Sequence, residues 1–317
     1  MPIASVLFSA GLGTRLRPLT DVVAKPALPL LDVPLGAYAL SALTGSCAPV
    51  VVNLSHLHAQ VRRALAPWAP PDLVNLVVES PRALGTAGTL RALRDRVGPR
   101  VLTMNSDELT DLDPRALLET HERLGAPATV ALAPVAAGAD MSIARDRVTK
   151  LIDRRSEPDD PGWLFLGMAV FERRALGLLT GEGPAGLTEA LLRPLIERGE
   201  VAAHEHAGYA LDVGTPDRYL QGSLDLLAGR GPRLPSWPGE RARRGAGWVY
   251  RGPGSRAPEE ALGPGAVLLR GCEVEPGSRV ERSIVWPGER VRAGTLLEGS
   301  IFALDAPLEA GGRREPL

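Results

Sequence analysis

Two cations beside an early glycine-rich turn are the first residues of this chain whose types and spacing suit chemistry. Arg15 and Lys25 lie in residues 9–29, SAGLGTRLRPLTDVVAKPALP, directly after the apolar run Ile3-Ala4-Ser5-Val6-Leu7-Phe8. A buried strand that stops at such a turn leaves backbone N–H groups free to face an anion. Lys occurs only at positions 25 and 150, and Arg supplies every other basic residue. Lys25 therefore marks a place that favours a compact, rotatable ammonium over a planar fork. Two carboxylates complete the set. Asp107 follows the strand pattern at 100–104, and a carboxylate at the carboxyl end of a parallel strand overlies the ligand crevice of an open α/β sheet. Asp212 stands before Thr215-Pro216, where the capping role falls to Thr215. Asp113, just before Pro114, reads as an N-cap, and Asp111 as solvated loop.

These residues need a scaffold, and the pattern between them is of strands alternating with helices. Short β-branched or apolar runs fall at 49–54, 73–78, 100–104, 128–134, 147–153 and 163–171, with helices expected at 35–43, 57–65, 173–179 and 188–197. The fold class is α/β: a Rossmann-like mixed, mostly parallel sheet flanked by helices. At 79–88, ESPRALGTAG, small residues where a strand meets a helix suit close approach of a base or phosphate, or an ordinary βα turn. Lys150 and Arg154 share one face of their strand and fit either a phosphate contact or a solvated edge.

Beyond residue 228 the texture changes. Residues 229–247 are rich in Gly, Pro and Arg without periodicity and read as a linker. Leu262, Leu268, Val274 and Val280 then recur every six residues, and Val285, Val291 and Leu297 do so again after a one-residue slip. A six-residue aliphatic period is the mark of a hexapeptide β-helix. The expected domains are 1–228, a linker at 229–247, and a short left-handed β-helix at 248–317. About two coils are few for independent stability, so the tail is expected to pack on the first domain or on a second subunit.

Composition excludes several classes. The chain has 317 residues, 44% of them hydrophobic, and a formal net charge of -1, which leaves no global footprint for nucleic acid or an anionic membrane. Only Cys47 and Cys272 are present, too few for a disulfide framework or thiolate metal site. No apolar run approaches the ~20 residues of a membrane span, and a cytoplasmic protein is expected. The five His lack metal-ligand spacing and read as surface or satisfied polar residues.

The opening loop fails as a P-loop, because no Gly-Lys dipeptide exists, and as a dinucleotide fingerprint, because Leu16 stands where the third glycine belongs. Gly-x-Gly-Thr-Arg-Leu, Pro-Leu-Thr and Lys-Pro-x-Leu-Pro resemble instead the sugar-1-phosphate nucleotidylyltransferases. Leu84-Gly-Thr-Ala-Gly88, Asn105-Ser-Asp107, Tyr209-Ala-Leu-Asp-Val-Gly-Thr-Pro216 and the hexapeptide tail follow in the order of that family. The LGTAG loop and short tail look most like its mannose-1-phosphate guanylyltransferase branch.

The resemblance implies attack of a sugar-1-phosphate oxygen on the α-phosphorus of a nucleoside triphosphate, with release of pyrophosphate. It implies that Arg15 neutralises the leaving pyrophosphate and Lys25 serves the α-phosphate. Ala10, Gly11, Gly13 and Thr14 would cradle the triphosphate, while Leu84, Gly85, Thr86 and Gly88 border the base with Glu79 close by. Asp107 and Asp212 would hold Mg²⁺. Lys150, Asp153, Arg154, Phe165 and Gly167 fall on the sugar-phosphate side, where the pattern departs. The usual Glu-Lys-Pro is Asp153-Arg154-Arg155, and a usual Asn-Ala-Gly is Phe165-Leu166-Gly167. Ser9 replaces the usual Ala or Gly. An altered, less polar sugar pocket is expected, and a non-catalytic member that binds nucleotide-sugar is the alternative of a different class.

Overall fold

The run at the start of the chain becomes β1 (Ile3–Phe8), whose Val6, Leu7 and Phe8 are buried. The computed structural model describes residues 3–152, 161–234 and 236–309. Two compact units emerge: Met1–Leu12 with Gly36–Ala210, and Gly13–Leu35 with Leu211–Leu317. The opening loop is thus divided between them.

The first unit is built on a nine-stranded sheet. Its strands after β1 are β2 (Val50–Leu54), β3 (Val74–Val78), β4 (Val97–Asn105), β5 (Ala128–Val135), β6 (Met141–Ala144), β7 (Arg147–Leu151), β8 (Gly162–Glu172) and β9 (Val201–Glu205). The order is β3-β2-β1-β4-β8-β5-β9-β7-β6. Parallel pairing joins β3, β2, β1 and β4, and also β5 with β9. β8 runs antiparallel to β4 and β5, and β7 antiparallel to β9 and β6. The sheet is mixed as expected but not mostly parallel. Among the described residues no helix lies between the four strands from Ala128 to Glu172, and β6 and β7 are joined by a tight turn that favours antiparallel neighbours.

Helices alternate with strands in the parallel half: Leu35–Ser46, His58–Leu65, Gly85–Leu93 and Pro114–Leu124. Every residue of β2 is buried, which explains its run of three valines, since a strand covered on both faces has no solvated side; buried Asn53 is the polar exception. Asp113 caps its helix by accepting from the Arg115 N–H at 2.9 Å, and Gly125 ends it in the left-handed conformation. Two expected helices are shorter or irregular. Residues 173–179 hold only the 3₁₀ turn Ala175–Leu178, and Thr188–Leu192 is π-helical before a five-residue helix at Arg193–Glu197. Buried His121 is satisfied between Thr129 and Glu172, at 2.8 and 3.1 Å. None of the described helices is long and apolar enough to cross a membrane.

The second unit contains the helix Pro216–Ala228, capped by Thr215, followed by strands in place of an extended linker. Glu240–Arg244 pairs antiparallel with Gly247–Arg251, with the Arg241 guanidinium 3.6 Å over the Trp248 ring. The expected linker therefore includes a strand, stabilised by cation–π stacking that composition does not reveal. Short parallel strands then stack Arg251, Leu268, Val285 and Phe302 in one column, Val274 and Val291 in a second, and Val280 and Leu297 in a third. All seven aliphatic positions of the six-residue pattern are buried in one cluster. Each such side chain contributes about 1.5–3 kcal/mol on leaving water. The one-residue slip falls at the tight corner where Arg282 takes φ 46° and lets Val285 rejoin the first column.

Candidate active site

The opening loop folds as a 3₁₀ turn at Thr14–Leu16, a single helical turn at Leu19–Val22 and a second 3₁₀ turn at Lys25–Ala27. The Thr20 hydroxyl donates to the Gly13 carbonyl at 2.9 Å and folds the loop back on itself. Gly13 has φ 66°, and a Cβ there would lie 3.0 Å from the Lys25 Cβ. Glycine is required on both counts. Gly11 differs: a Cβ added to it meets nothing within 4 Å. Ala10 is buried and Thr14 exposed.

Within the same unit, three cations surround Asp212. The Lys25 ammonium lies 3.8 Å from its Oδ1, and Arg15 and Arg218 lie 3.5 and 3.8 Å from its Oδ2. The Lys25 side chain is only 9% exposed, whereas those of Arg15 and Arg218 are 67% and 48% exposed. The lysine is held in place, and both arginines can turn toward an anionic ligand. Gly214 is shaped to this cluster, because a Cβ there would stand 2.7 Å from the Arg15 guanidinium and 2.9 Å from Asp212.

In the first unit, the loop at 84–88 is tied to the strand ends by a closed polar network. Asn53, at the end of β2, accepts from the Ser9 N–H at 2.7 Å and donates to Glu79 at 2.9 Å and Thr89 at 3.0 Å. Glu79 also accepts from the Thr89 hydroxyl at 2.5 Å and the Leu84 N–H at 2.7 Å. Both Glu79 oxygens are thus engaged by protein donors, which gives it the role of orienting the loop. The glycines meet a second segment. Ala185 accepts from the Ala87 N–H at 3.0 Å and donates to the Leu84 carbonyl at 2.9 Å, and the Leu187 N–H donates to the Thr86 hydroxyl at 2.8 Å. Gly85 has φ 71°, and its Cβ would meet the Ala185 carbonyl at 2.5 Å. Gly88 packs against Leu84 and Gly183.

Asp107 is half-buried in the turn between β4 and the short strand Glu108–Thr110. Asp111 is not simply solvated: it accepts from the Tyr209 N–H at 2.8 Å and lies 2.9 Å from His206. Among the described residues no group of three or more His, Cys, Asp or Glu side chains could hold a metal. Both cysteines are buried, and burial pushes the Cys272 thiol up to about 12, which disfavours a thiolate there.

Of the residues expected on the sugar side, Phe165 lines a cavity of about 480 Å³ with Asp140, Thr188, Glu189 and Arg193. Asp140 accepts from the Phe165 N–H at 3.0 Å, and Arg193 grips Glu189 through two bonds of 2.7 and 2.9 Å. That pairing holds the Glu189 carboxyl below the usual carboxylate range. Lys150 is exposed on β7 and Gly167 sits in the β-bulge of β8, and neither lines the cavity. A Cβ at Gly167 would meet the Asn105 amide at 2.5 Å, so this glycine serves Asn105. Asp153 and Arg154 lie outside the described residues.

Residues 4–229 match the nucleotidyl transferase family. The chain belongs to that family. A mannose-1-phosphate guanylyltransferase of Mycobacterium tuberculosis is 28% identical over 93% of this chain and 83% of its own length. A glucose-1-phosphate adenylyltransferase of Streptomyces avermitilis is 25% identical over 94% of this chain and 84% of its own. The solved structure of HddC from Yersinia pseudotuberculosis shares the fold, with a TM-score of 0.61 and 17% identity over 71% of this chain and all of that one.

For this nucleotidyltransferase, the residues unassigned in the sequence include Asn53, Gly214, Arg218 and Ala185, together with Thr89 of the polar network and Asp140, Thr188, Glu189 and Arg193 of the cavity. Asn53 carried a signal, a lone amide ending a run of valines. Arg218 follows its N-cap Thr215 in the first helical turn, and only the fold returns it to Asp212. Ala185 acts through its backbone, which leaves no trace in residue type.

Proposed function

We propose that the chain transfers a nucleoside monophosphate from a nucleoside triphosphate to a sugar 1-phosphate, with mannose 1-phosphate and GTP as the leading pair. The observation that carries this reading is the cluster of Lys25, Arg15 and Arg218 on Asp212. A sugar-phosphate oxygen forms a bond to the α-phosphorus while the bond to the bridging oxygen breaks and pyrophosphate departs. Such transfer asks a protein mainly for alignment and charge stabilisation. Buried Lys25 stabilises charge at the α-phosphate, and exposed Arg15 follows the leaving pyrophosphate. Arg218 is a second mobile cation for the same anion.

Asp107 and Asp212 would hold Mg²⁺. Two hard carboxylates without a third protein ligand suit this cation, which takes its other ligands from substrate phosphates and water. When bound, the ion neutralises phosphate charge. The pairing of these aspartates rests on their motif order. The cavity lined by Phe165 and Asp140 takes the sugar; Phe165 supplies an apolar face where the motif departs, while Asp140, Thr188, Glu189 and Arg193 keep polar groups around it. We further read the stacked C-terminal strands as a short left-handed hexapeptide β-helix, a surface for self-association, and the protein as cytoplasmic.

The names of the relatives favour mannose 1-phosphate with GTP and give glucose 1-phosphate as the second reading, with amino-sugar 1-phosphates and UTP or dTTP as further pairs. Pyrophosphate release from four nucleoside triphosphates against several sugar 1-phosphates, with and without Mg²⁺, tests all of these. The expected outcome is Mg²⁺-dependent release with one pair far ahead. No release with any pair would make the chain a nucleotide-sugar-binding regulator, and a lead of mannose 1-phosphate over every other sugar would refute the altered pocket.

A further inference from the structure

The arm that carries Lys25 belongs to the same compact unit as the C-terminal strands. Gly13–Leu35 joins Leu211–Leu317, not the sheet that precedes it in sequence. Beyond the Lys25–Ala27 turn the chain forms a minimal hairpin, Pro29–Leu30 against Val33–Pro34. Its two turn residues, Leu31 and Asp32, have φ 50° and 61°. Side-chain-bearing residues rarely adopt this left-handed conformation, and two in succession persist only where surrounding contacts hold them.

The contacts that hold them come from further along the chain. The hydroxyl of fully buried Tyr250 lies 2.9 Å from the Leu31 carbonyl and 3.1 Å from the Asp32 carboxylate. The same hydroxyl accepts from the Gly239 N–H at 3.0 Å. The other Asp32 oxygen accepts from the Arg270 N–H at 2.9 Å. Fully buried Tyr219 donates to the Pro29 carbonyl at 2.6 Å. Gly252 leaves room for Asp32, because a Cβ on it would collide with that carboxylate and stand 2.6 Å from the Arg270 nitrogen. Leu28, Leu30, Leu31 and Val33 are wholly buried, and the Leu35 N–H closes the arm on the Leu28 carbonyl at 2.8 Å. The arm is thus packed and hydrogen-bonded from the turn back to Leu28, whose N–H donates to the Lys25 carbonyl at 3.1 Å.

We propose that the C-terminal strands act as a positioning element for Lys25: Tyr250 and Asp32 clamp the Leu31–Asp32 turn and so fix the lysine against Gly13 and Asp212. Neither residue needs to touch substrate, and both act through the arm. The assignment rests on the catalytic reading of Lys25 given above. A lysine that stabilises charge mainly in the transition state affects turnover more than substrate binding, so loosening it lowers kcat and leaves KM for the nucleotide little changed.

The test uses the full chain with kinetics and thermal melting measured on each variant. Tyr250→Phe keeps the ring and removes only the hydroxyl. Asp32→Gly removes the carboxylate while glycine accepts the left-handed turn, so a role in stability alone leaves its kcat untouched. Both variants are expected to lose about 5–20-fold in kcat with KM for the nucleotide changed less than about twofold. Val291→Ala, at a buried position that makes none of the clamp's hydrogen bonds, is expected to melt at a lower temperature with normal kcat. A kcat within about twofold of wild type for both folded clamp variants, or an equal loss in Val291→Ala, overturns the clamp. Lys25→Ala separates the two levels: wild-type turnover there rejects the catalytic reading itself, whereas a large loss beside unaffected clamp variants rejects only the clamp.

Discussion

Two glycine-containing loops follow strands of one sheet, and the structure uses them in opposite ways. The loop after β1 has open space over Gly11 and places exposed Arg15 and buried Lys25 at Asp212, where exposed Arg218 of the helix Pro216–Ala228 joins them. The loop after β3 is closed: its glycines face Ala185 and Gly183, and Glu79, Asn53 and Thr89 bond to one another. Similar composition serves an adaptable charged site in one case and a rigid shape in the other. Glycine content alone does not tell a ligand cradle from a backbone crossing; what occupies the space over each Cα does.

Removing charge from the first loop's cluster is expected to have the largest effect. Lys25→Ala and Asp212→Asn should each lower the rate of pyrophosphate release on the order of 10² or more, with normal melting, and Asp107→Asn likewise. Near-wild-type turnover in all three would break the distinction between the loops, because neither would then carry chemistry.

Glycine substitutions sharpen it next. Gly85→Ala forces a left-handed alanine against the Ala185 carbonyl and should cost about 1–3 kcal/mol of unfolding free energy. Gly11→Ala meets nothing and should leave stability unchanged while raising KM for the nucleotide. Denaturant midpoints and steady-state kinetics read both. Equal destabilisation would show that the first loop is as closed as the second.

Glu79→Gln turns one carboxylate oxygen into a donor facing the Asn53, Thr89 or Leu84 donors, which should destabilise by about 1–3 kcal/mol. Nucleotide KM should rise more than kcat falls, since the network shapes the loop without taking part in the reaction.

The smallest expected effects are opposite pH dependences in the two units. Burial, then His206 and Arg123, hold the His204 imidazole below its ordinary 6.5. The unfolded chain binds more protons there, so the stability His204 contributes is present above about 6.5 and lost as pH falls through its lower folded value. Burial raises Asp32 above 3.8, so its contribution is complete below 3.8 and lost as pH rises through the higher folded value. Melting temperature against pH should show each slope flattened by His204→Gln or Asp32→Asn respectively.

Much of this was legible in the residues themselves. Alternating strands and helices, the caps at Asp113 and Thr215, and the six-residue period of Leu262 to Leu297 are short-range consequences of side-chain periodicity and backbone preference, so a linear reading recovers them. The ordered set of motifs was equally legible, because residue types at close spacing survive without coordinates. The antiparallel half of the sheet was not, since pairing between β8 and its neighbours depends on long-range register. Nor was the strand at Glu240–Arg244, which polar and glycine-rich residues disguise.

What the sequence by itself determined, then, was the repertoire: which residues carry charge, which stretches form strands, and which reaction family they belong to. Tertiary structure decided the partnerships. It placed Arg218 and Gly214 at Asp212, used Gly85 to pass the Ala185 carbonyl, and assigned the Lys25 arm to the C-terminal unit through Tyr250 and Asp32. The physical reason is range. Periodicity and capping act over a few residues, whereas a buried hydroxyl or carboxylate takes whichever partner the packed chain brings within about 3 Å.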